Sequence, residues 1–509
     1  MTRSTTPHRS PRRAGPDGFP RLLRAEWTKF RSVRGWLTAT ATAALMVVLV
    51  AALAGISSDQ TGSPAVPIGP GGEPVTDSFF FVHQPLDGDG SVTVSVSALT
   101  SGIPEGLADL RPGTVPWAKA GLVIKESTRQ GSPYAAIMVT GGHGVRMQHD
   151  YVDDTAGPPG PVSPASPRRL RLDRSGDVIT GYASADGTRW TEVGSVRVAG
   201  LGPAARVGMF VASPPSVQGL GTVGSVSTAV FGDLRLQGGR AGGVWAGEQV
   251  GAGSPSFAGY PRTTSGSFTE SDGRFTVTGA GDIAPAVRVS LPTGGTLRDI
   301  LTGTFAALIA LIVVGVLFIT SEYRQDLIHV TLAAVPGRGG VLAAKAIVLG
   351  GVTFAAGLVG AAVALPVGER LARANGVYFF PVTSSTELRL VLGTAALLAT
   401  ASVLALAVGT LFRRSAGAVT TVIAVTVLPH ILIANPFMPA GVSDWLARVT
   451  PAAAFAVHQT LEPYHQVASI YTPYNGYYPL PPWAGYAVLG GYAVVSLAAA
   501  AVVLRRRDA

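Results

Sequence analysis

Six long stretches of this chain contain no Asp, Glu, Lys or Arg: Trp36 to Ile56, Leu301 to Thr320, Ala346 to Leu365, Leu390 to Phe412, Ala416 to Ala434, and Trp483 to Leu504. About 20 apolar residues, at 1.5 Å of rise each, cross the hydrocarbon of a bilayer. Backbone in lipid must close its own hydrogen bonds, so runs of this kind are helices. Small residues recur in them, at Gly350, Gly351, Gly357, Gly360, Gly490 and Gly491. Such residues let helices approach closely, which favours one packed bundle over six separate anchors. The fold class this predicts is multi-domain: a six-helix transmembrane α bundle with an extracytoplasmic all-β sandwich inserted between its first two helices.

Charge placement gives the orientation. The chain of 509 residues has 39 Lys and Arg against 30 Asp and Glu, a net charge of +9. A basic balance of this kind is also the footprint of nucleic-acid binding, but here the basic residues crowd the ends of apolar runs. Arg21, Arg24, Lys29, Arg31 and Arg34 precede the first, Arg413 and Arg414 separate the fourth and fifth, and Arg505 to Arg507 follow the last. That is the pattern of cytoplasmic membrane flanks, so no nucleic-acid partner is expected. It places both termini in the cytoplasm of a multi-pass plasma-membrane protein, with Ser57 to Ile300 outside. Glu369, Arg370 and Arg373 then fall in an outer loop, against the trend. Ala52-Leu53-Ala54 leaves a cleaved signal peptide as the rival reading of the first run, although its flank and core are both long for one.

The expected divisions are a basic, disordered tail over 1–20, an interfacial helix with the first span over 21–56, and an extracytoplasmic region over 57–300 with its sandwich at about 77–236. The second span (301–320), a cytoplasmic loop (321–340) and the remaining four spans (341–509) follow. Within the insertion, Val92 to Val96, Arg169 to Leu172 and Leu234 to Leu236 alternate apolar and polar residues, as half-buried strands do. Ser175-Gly176-Asp177 and Asp186-Gly187 supply hairpin turns between such runs. Gly157 to Pro167 reads as a Pro-rich loop and Gly238 to Gly253 as a Gly-rich linker, followed by short strands near Ser267 and at Phe275 to Thr278. With no Cys in the chain, neither disulfides nor thiolate metal sites are available.

Three segments carry a resemblance. They are Leu23 to Ser32 (LRAEWTKFRS), Ser321 to Arg324 continuing through Thr331 to Arg338 and Ala344-Lys345, and Val449 to Ala454 (VTPAAA). Together these resemble the permease subunit of six-span ABC exporters of the actinobacterial type. The resemblance implies an interfacial helix carrying Glu26, Trp27, Lys29 and Arg31. It also implies a coupling loop in which Glu322, Tyr323, Arg324, Asp326 and Arg338 dock an ATPase. The residues themselves also allow plainer readings, a positive flank for the first and an ordinary connector for the second, though a basic helix with Trp and Phe does suit the headgroup layer. A phosphate-cradling loop requires G-x-x-x-x-G-K-[ST]. The only lysines are Lys29, Lys119, Lys125 and Lys345, and none follows a Gly. No cofactor is therefore expected on this chain; by resemblance, ATP binds a separate ATPase subunit, and the permease works as a homodimer or beside a related second permease.

A second resemblance rests on Trp117 to Ser127 (WAKAGLVIKES), Leu172 to Asp177, Tyr182 to Thr191 (YASADGTRWT) and Val207 to Ser213. These are similar, in order and spacing, to the concanavalin-like sandwich family that includes C-terminal domains of β-xylosidases. The likeness implies a candidate glycan-binding surface, with Trp117, Tyr134, Tyr151 and Trp190 as stacking platforms, although in a sandwich such aromatics more often belong to the core.

Catalytic chemistry is sparse. Glycoside hydrolysis needs paired carboxylates across a cleft, and no E-x-D-x-E strand occurs. Asp150, Asp153 and Asp154 read as a solvated turn, and Asp87-Gly88-Asp89-Gly90 as a turn rather than a Ca²⁺ loop. His430, inside the fifth run, either faces a pathway or hydrogen-bonds the carbonyl freed by Pro429. The expected function is a non-enzymatic transport subunit for a cargo and in a direction the sequence leaves open. The alternative is a membrane-held glycan-binding or sensing protein without transport.

Overall fold

The computed structural model describes residues 18–105, 109–218, 221–238, 244–251, 266–291, 293–325 and 338–506. It divides into a helical unit (Met1–Thr61, Gly295–Thr460, Thr472–Ala509) and a β-rich unit (Gly62–Gly294, Leu461–Tyr471). Most of the basic tail, residues 326–337 of the 321–340 loop, and Arg507 lie outside the described residues.

The helical unit begins with α1 (Gly18–Ser32), whose first turn takes in the last residues expected to be tail. Its helices continue as α2 (Arg34–Ser57), the single-turn α3 (Leu297–Ile300), α4 (Gly303–Arg324), α5 (Arg338–Ala374), α6 (Ser384–Phe412), α7 (Ser415–Ile433), α8 (Ala440–Val449) and α9 (Pro482–Arg506). A 3₁₀ segment, Pro451–His458, precedes the last. Six of these, α2, α4, α5, α6, α7 and α9, are long and apolar enough to cross a membrane. They coincide with the charge-free runs to within a few residues, apart from α5. At 37 residues α5 is about 55 Å long at 1.5 Å per residue, well beyond hydrocarbon thickness. Its extra turns absorb the charges expected in a loop: Arg373 pairs with Glu369 at 2.7 Å, one helical turn apart.

Small residues set the closest helix approach. A Cβ on Gly315 of α4 would lie 2.5 Å from the carbonyl oxygen of Ser402 on α6, so only a glycine fits there. Thr383 caps α6 by accepting from the backbone of Thr386. The helix stops where Arg413 turns left-handed at φ 58°.

The β-rich unit opens with β1 (Val75–Asp77), β2 (Phe79–Asp87), β3 (Gly90–Glu105), β4 (Asp109–Gly113), β5 (Lys119–Lys125), β6 (Tyr134–Thr140) and β7 (Val145–His149). Next come β8 (Asp153–Ala156), β9 (Arg168–Ser175), β10 (Val178–Ser184), β11 (Thr191–Arg197), β12 (Ala204–Ala212), β13 (Ser216–Gln218) and β14 (Gly221–Val223). The series closes with β15 (Val226–Gly238), β16 (Ala246–Val250), β17 (Ser267–Ser271), β18 (Arg274–Gly279) and β19 (Ile283–Pro285). One antiparallel sheet has the order β11-β10-β9-β3-β15-β18-β17 with β4 beside β3, and the other β16-β2-β12-β5-β6-β7-β8. Their inner faces share a core, with Val82, Leu122, Ile137 and Val207 from the second sheet meeting Val94, Leu172, Phe231 and Val277 from the first.

Two features depart from the sequence expectation. The sheets extend past the sandwich bound expected near residue 236, because β17 and β18, at the short strands expected near Ser267 and at Phe275 to Thr278, complete one sheet and β16 edges the other. β16 lies inside the stretch expected to be a linker: Ala246 to Val250 pair with His83 to Phe79, and Val250 is buried. The β-rich unit also includes Leu461–Tyr471, from between the last two long helices, so the chain passes between the units four times.

Both faces of the second sheet are covered. On the face turned away from the shared core, Phe79, Phe81, Val123, Met138 and Phe210 pack with Val75, Val250 and Ile283. This is why β5 and β6 are buried at every position instead of alternating.

Candidate functional site

Helix α1 is amphipathic in a particular way. Arg24, Trp27, Thr28 and Arg31 are exposed, while Glu26 and Phe30 are buried and Leu22, Leu23 and Lys29 are partly covered. Spacing of three and four residues brings Leu23, Glu26 and Phe30 to one face. Phe30 meets Phe318 of α4 edge-to-face at 5.5 Å, and Trp36 meets the same ring at 6.1 Å. The inward face therefore brings a carboxylate into an apolar contact.

That carboxylate is one corner of a four-residue ion cluster. Lys345 Nζ, on the first turns of α5, donates to Glu26 Oε2 at 2.7 Å and to Glu322 Oε1 at 2.6 Å. Lys29 Nζ donates to Glu26 Oε1 at 3.0 Å and to Glu322 Oε1 at 3.2 Å. The Lys345 side chain is fully buried and lies 4.8 Å from the centre of the Phe318 ring. Two cations and two anions cancel, which makes the burial tolerable; removing one corner would leave an uncompensated charge. Burial pulls Lys29 down, but its hydrogen bonds to Glu26 and Glu322 and their charges raise it above the ordinary lysine value. Glu322 Oε2 is buried and has no hydrogen-bond partner among the described residues.

The cluster joins three elements. Glu322 sits in the last turn of α4 and Lys345 near the start of α5, so they bracket the loop between these helices, and Glu26 and Lys29 bring in α1. Glu322, expected at an ATPase-docking surface, is thus turned inward. Tyr323 lies under the Arg413 guanidinium at 5.3 Å, and Arg324 is exposed. Arg338 donates to the carbonyl of Leu504 at 3.1 Å. Asp326 lies outside the described residues.

Toward the opposite end of the bundle, the His430 ring stacks on Phe455 at 3.7 Å and lies 5.3 Å from Phe305. Its Nδ1 has no hydrogen-bond partner among the described residues. His458 Nε2 is 2.8 Å from Thr394 Oγ1.

In the β-rich unit the expected glycan platforms separate. Tyr134 and Tyr151 are fully buried and offer no ring face to a ligand. Trp117 is nearly buried, stacked on His143 at 4.0 Å with Arg146 5.6 Å from its ring centre. Trp190 remains half-exposed beside the Arg171 guanidinium at 5.2 Å. Asp154 is not a solvated turn residue. Its side chain is buried and bound by Arg146, by Gln148 at 2.9 Å and by His465 at 3.1 Å. Burial alone would raise its carboxyl, yet these hydrogen bonds bring it below the ordinary range.

Sequence reading missed the two buried lysines of β5. Lys125 donates to Asp77 Oδ2 at 2.8 Å, to the carbonyl of Ser132 at 2.9 Å and to Tyr151 Oη at 2.7 Å. Lys119 donates to Asp282 Oδ1 at 2.6 Å and to the carbonyl of Ile283 at 2.7 Å. Burial lowers Lys125 and raises Tyr151, with Asp77 opposing the first shift and adding to the second. The signal was present, since a lysine at each end of an otherwise apolar strand needs a buried counter-charge. All four lysines of the chain are salt-bridged to carboxylates. Among the described residues, no three or more His, Asp or Glu side chains are grouped to hold a metal.

No family model matches the chain, and no curated protein matches it. Among solved structures, a functionally unknown protein from Saccharomyces cerevisiae is similar at 17% identity and a TM-score of 0.23, over 33% of this chain and 77% of that one. Scytalido-glutamic peptidase bound to a transition state analog inhibitor is similar at 8% identity and a TM-score of 0.24, over 40% of this chain and 98% of that one. At such scores neither likeness assigns a fold family or an activity. The helices and sheets together define the class: a membrane-embedded helical region attached to a multi-stranded β-sheet domain.

Proposed function

We propose that the chain is the membrane-spanning permease subunit of an ABC exporter, driven by ATP hydrolysis on a separate subunit, with its β-rich unit on the extracytoplasmic side. One observation carries this reading: the Glu26–Lys29–Glu322–Lys345 cluster, which ties α1 to both helices that bracket the 321–340 loop. A force applied to that loop by a partner would reach α1, α4 and α5 together, since a neutral buried cluster resists being pulled apart. Two states of the bundle would then differ in how these three elements sit, and nucleotide on the partner would bias the choice between them. The basic flanks and the three permease-like segments support the same orientation and role. The β-rich unit, in this reading, is a concanavalin-like domain that captures cargo or gates its exit.

Purification of the full chain in mild detergent tests the proposal. An ATP-hydrolysing subunit is expected to copurify; reproducible recovery of the chain alone would count against it.

A further inference from the structure

On the face of the second sheet turned away from the shared core, an amine, a carboxyl and a phenol meet. Asp77 ends β1, Lys125 ends β5 and Tyr151 follows β7, and all three are fully buried. Tyr151 Oη touches both of the others. It accepts from Lys125 Nζ at 2.7 Å and donates to Asp77 Oδ2 at 2.6 Å. Nζ itself lies 2.8 Å from Oδ2, which also accepts from the backbone of Gly131 at 2.9 Å. Asp77 Oδ1 is buried with no hydrogen-bond partner among the described residues. The backbone holds Tyr151 left-handed at φ 70°, beside Asp150 at φ 45°. That conformation is costly for an aromatic residue, and such strain collects where a side chain must be aimed.

A salt bridge this dry has a second form. Passing one proton from the ammonium to the carboxylate leaves a neutral amine beside a neutral acid, which burial favours because neither group is charged. Burial is the largest influence on Lys125 and pulls it below the ordinary lysine value, with Asp77 opposing. The neutral amine carries the lone pair a nucleophile needs. Oδ1 is then a carbonyl oxygen, and its lack of a donor costs less than it would on a charged group. Phe79, Phe81, Tyr134, Met138 and Phe210 pack around the trio and keep water out. Fixed contact in such a place replaces a chance encounter in solution.

We propose that Lys125 and Asp77 condense into an intramolecular amide, a covalent staple between β5 and β1. Nζ attacks Asp77 Cγ and the Nζ–Cγ bond forms. A proton from Nζ passes to Tyr151 Oη, which gives its own to Oδ2. The Cγ–Oδ2 bond breaks, Oδ2 leaves as water, and Oδ1 remains as the amide carbonyl oxygen. No co-reactant is consumed and no charge stays buried. A chain without cysteine has no disulfide with which to tie its strands together. Lys119 and Asp282 are the internal comparison: Nζ lies 2.6 Å from Oδ1, but among the described residues no hydroxyl bridges the two. That pair should stay unlinked.

Mass spectrometry of the full chain, purified from membranes and then denatured, tests the staple. The chain is expected to weigh one water less than its sequence. Proteolysis should yield a branched peptide whose fragments place the junction at Lys125 and Asp77, with Lys119 unmodified. Asp-Gly steps such as Asp87-Gly88 can also lose water, by cyclising on the backbone. Lys125→Arg separates the two routes, because it should restore the full mass of its own sequence. Tyr151→Phe keeps both partners but removes the relay, so linking after synthesis should slow roughly a hundredfold. An unmodified chain at full sequence mass, or peptides holding Lys125 and Asp77 recovered unlinked, would overturn the proposal even if no variant folds. The same water loss in Lys125→Arg would overturn it too, and an unchanged linking rate in Tyr151→Phe would overturn the relay. None of these readouts involves an ATPase, so the staple and the transport reading fail separately.

Discussion

Lys345 Nζ lies 2.7 Å from Glu26 Oε2, although 319 positions of sequence separate the two residues. The contact closes α1 onto the start of α5, and Glu322 joins it from α4. Replacing Lys345 by Met would leave two carboxylates in an apolar contact with only the half-exposed Lys29 to balance them. A loss of about 3–5 kcal/mol is expected. Adding Glu322→Gln to Lys345→Met should recover part of it, because one of the stranded charges is then gone. Lys29→Ala, at the exposed corner, should cost less than Lys345→Met, because water reaches the place it vacates. Thermal unfolding of the purified chain in detergent measures all three, and equal losses for Lys345→Met and Lys29→Ala would contradict the cluster.

The next prediction concerns close packing between helices. Gly315→Leu forces a side chain into the 2.5 Å gap between the Gly315 Cβ position and the Ser402 carbonyl, so α4 and α6 must separate. Overpacking of this kind costs about 1–3 kcal/mol or more. Gly351→Leu is the control, since a Cβ there meets nothing within 4 Å. The expected outcome is a lowered unfolding midpoint for the first and little change for the second.

The helices were legible because a charge-free run of membrane length is a local signal that needs no knowledge of partners. The extra length of α5 was not. Its ends carry Lys345 and Glu369 with Arg373, and charges at the end of an apolar run read as the end of a span. Lys345 is neutralised by residues on two other helices, and Arg373 by Glu369 one turn away. The alternation of β9 was visible because one face is wet, whereas β5 and β6 are dry on both faces and lose the period. Glu322 looked like a surface group for the same reason Lys345 looked like a loop residue: the partners that bury it lie 23 and 293 positions away. β16 was hidden by its Gly-rich surroundings, and only its pairing with β2 makes it a strand.

His83 gives a pH dependence in the β-rich unit. Burial lowers its pKa, Arg206 adds to the effect, and the Glu248 carboxylate at 3.1 Å opposes it without cancelling it. The unfolded chain, with a histidine near 6.5, binds its proton first as pH falls. Below that value the unfolded state holds more protons than the folded one, so stability rises with pH through this window and falls with acidification. His83→Gln should flatten the slope between about pH 6.5 and the lowered folded value. Unfolding midpoints of the two chains, compared at matched ionic strength across that range, provide the check; parallel slopes would exclude the assignment.

Leu461–Tyr471 belongs to the β-rich unit by contacts that can be cut one at a time. Gln466 donates to the carbonyl of Val152 at 2.7 Å, and Val467 packs with Ala284 and Val287. The Tyr471 hydroxyl holds the segment's own backbone, donating to the carbonyls of Tyr464 at 2.9 Å and Val467 at 3.0 Å. His465 is fixed by Asp154, whose buried carboxylate also orders Arg146 and Gln148. Asp154→Ala leaves those donors without their acceptor, at a cost of about 1–3 kcal/mol. Amide exchange in 461–471 and in β7 and β8 should then quicken roughly tenfold or more, at 1.4 kcal/mol per factor of ten. The helix Leu390 to Phe412 should exchange at its former rate. Unchanged exchange in 461–471 would mean that the segment is held by something other than the β sheet, and that the chain's third and fourth passages between its units do not anchor it there.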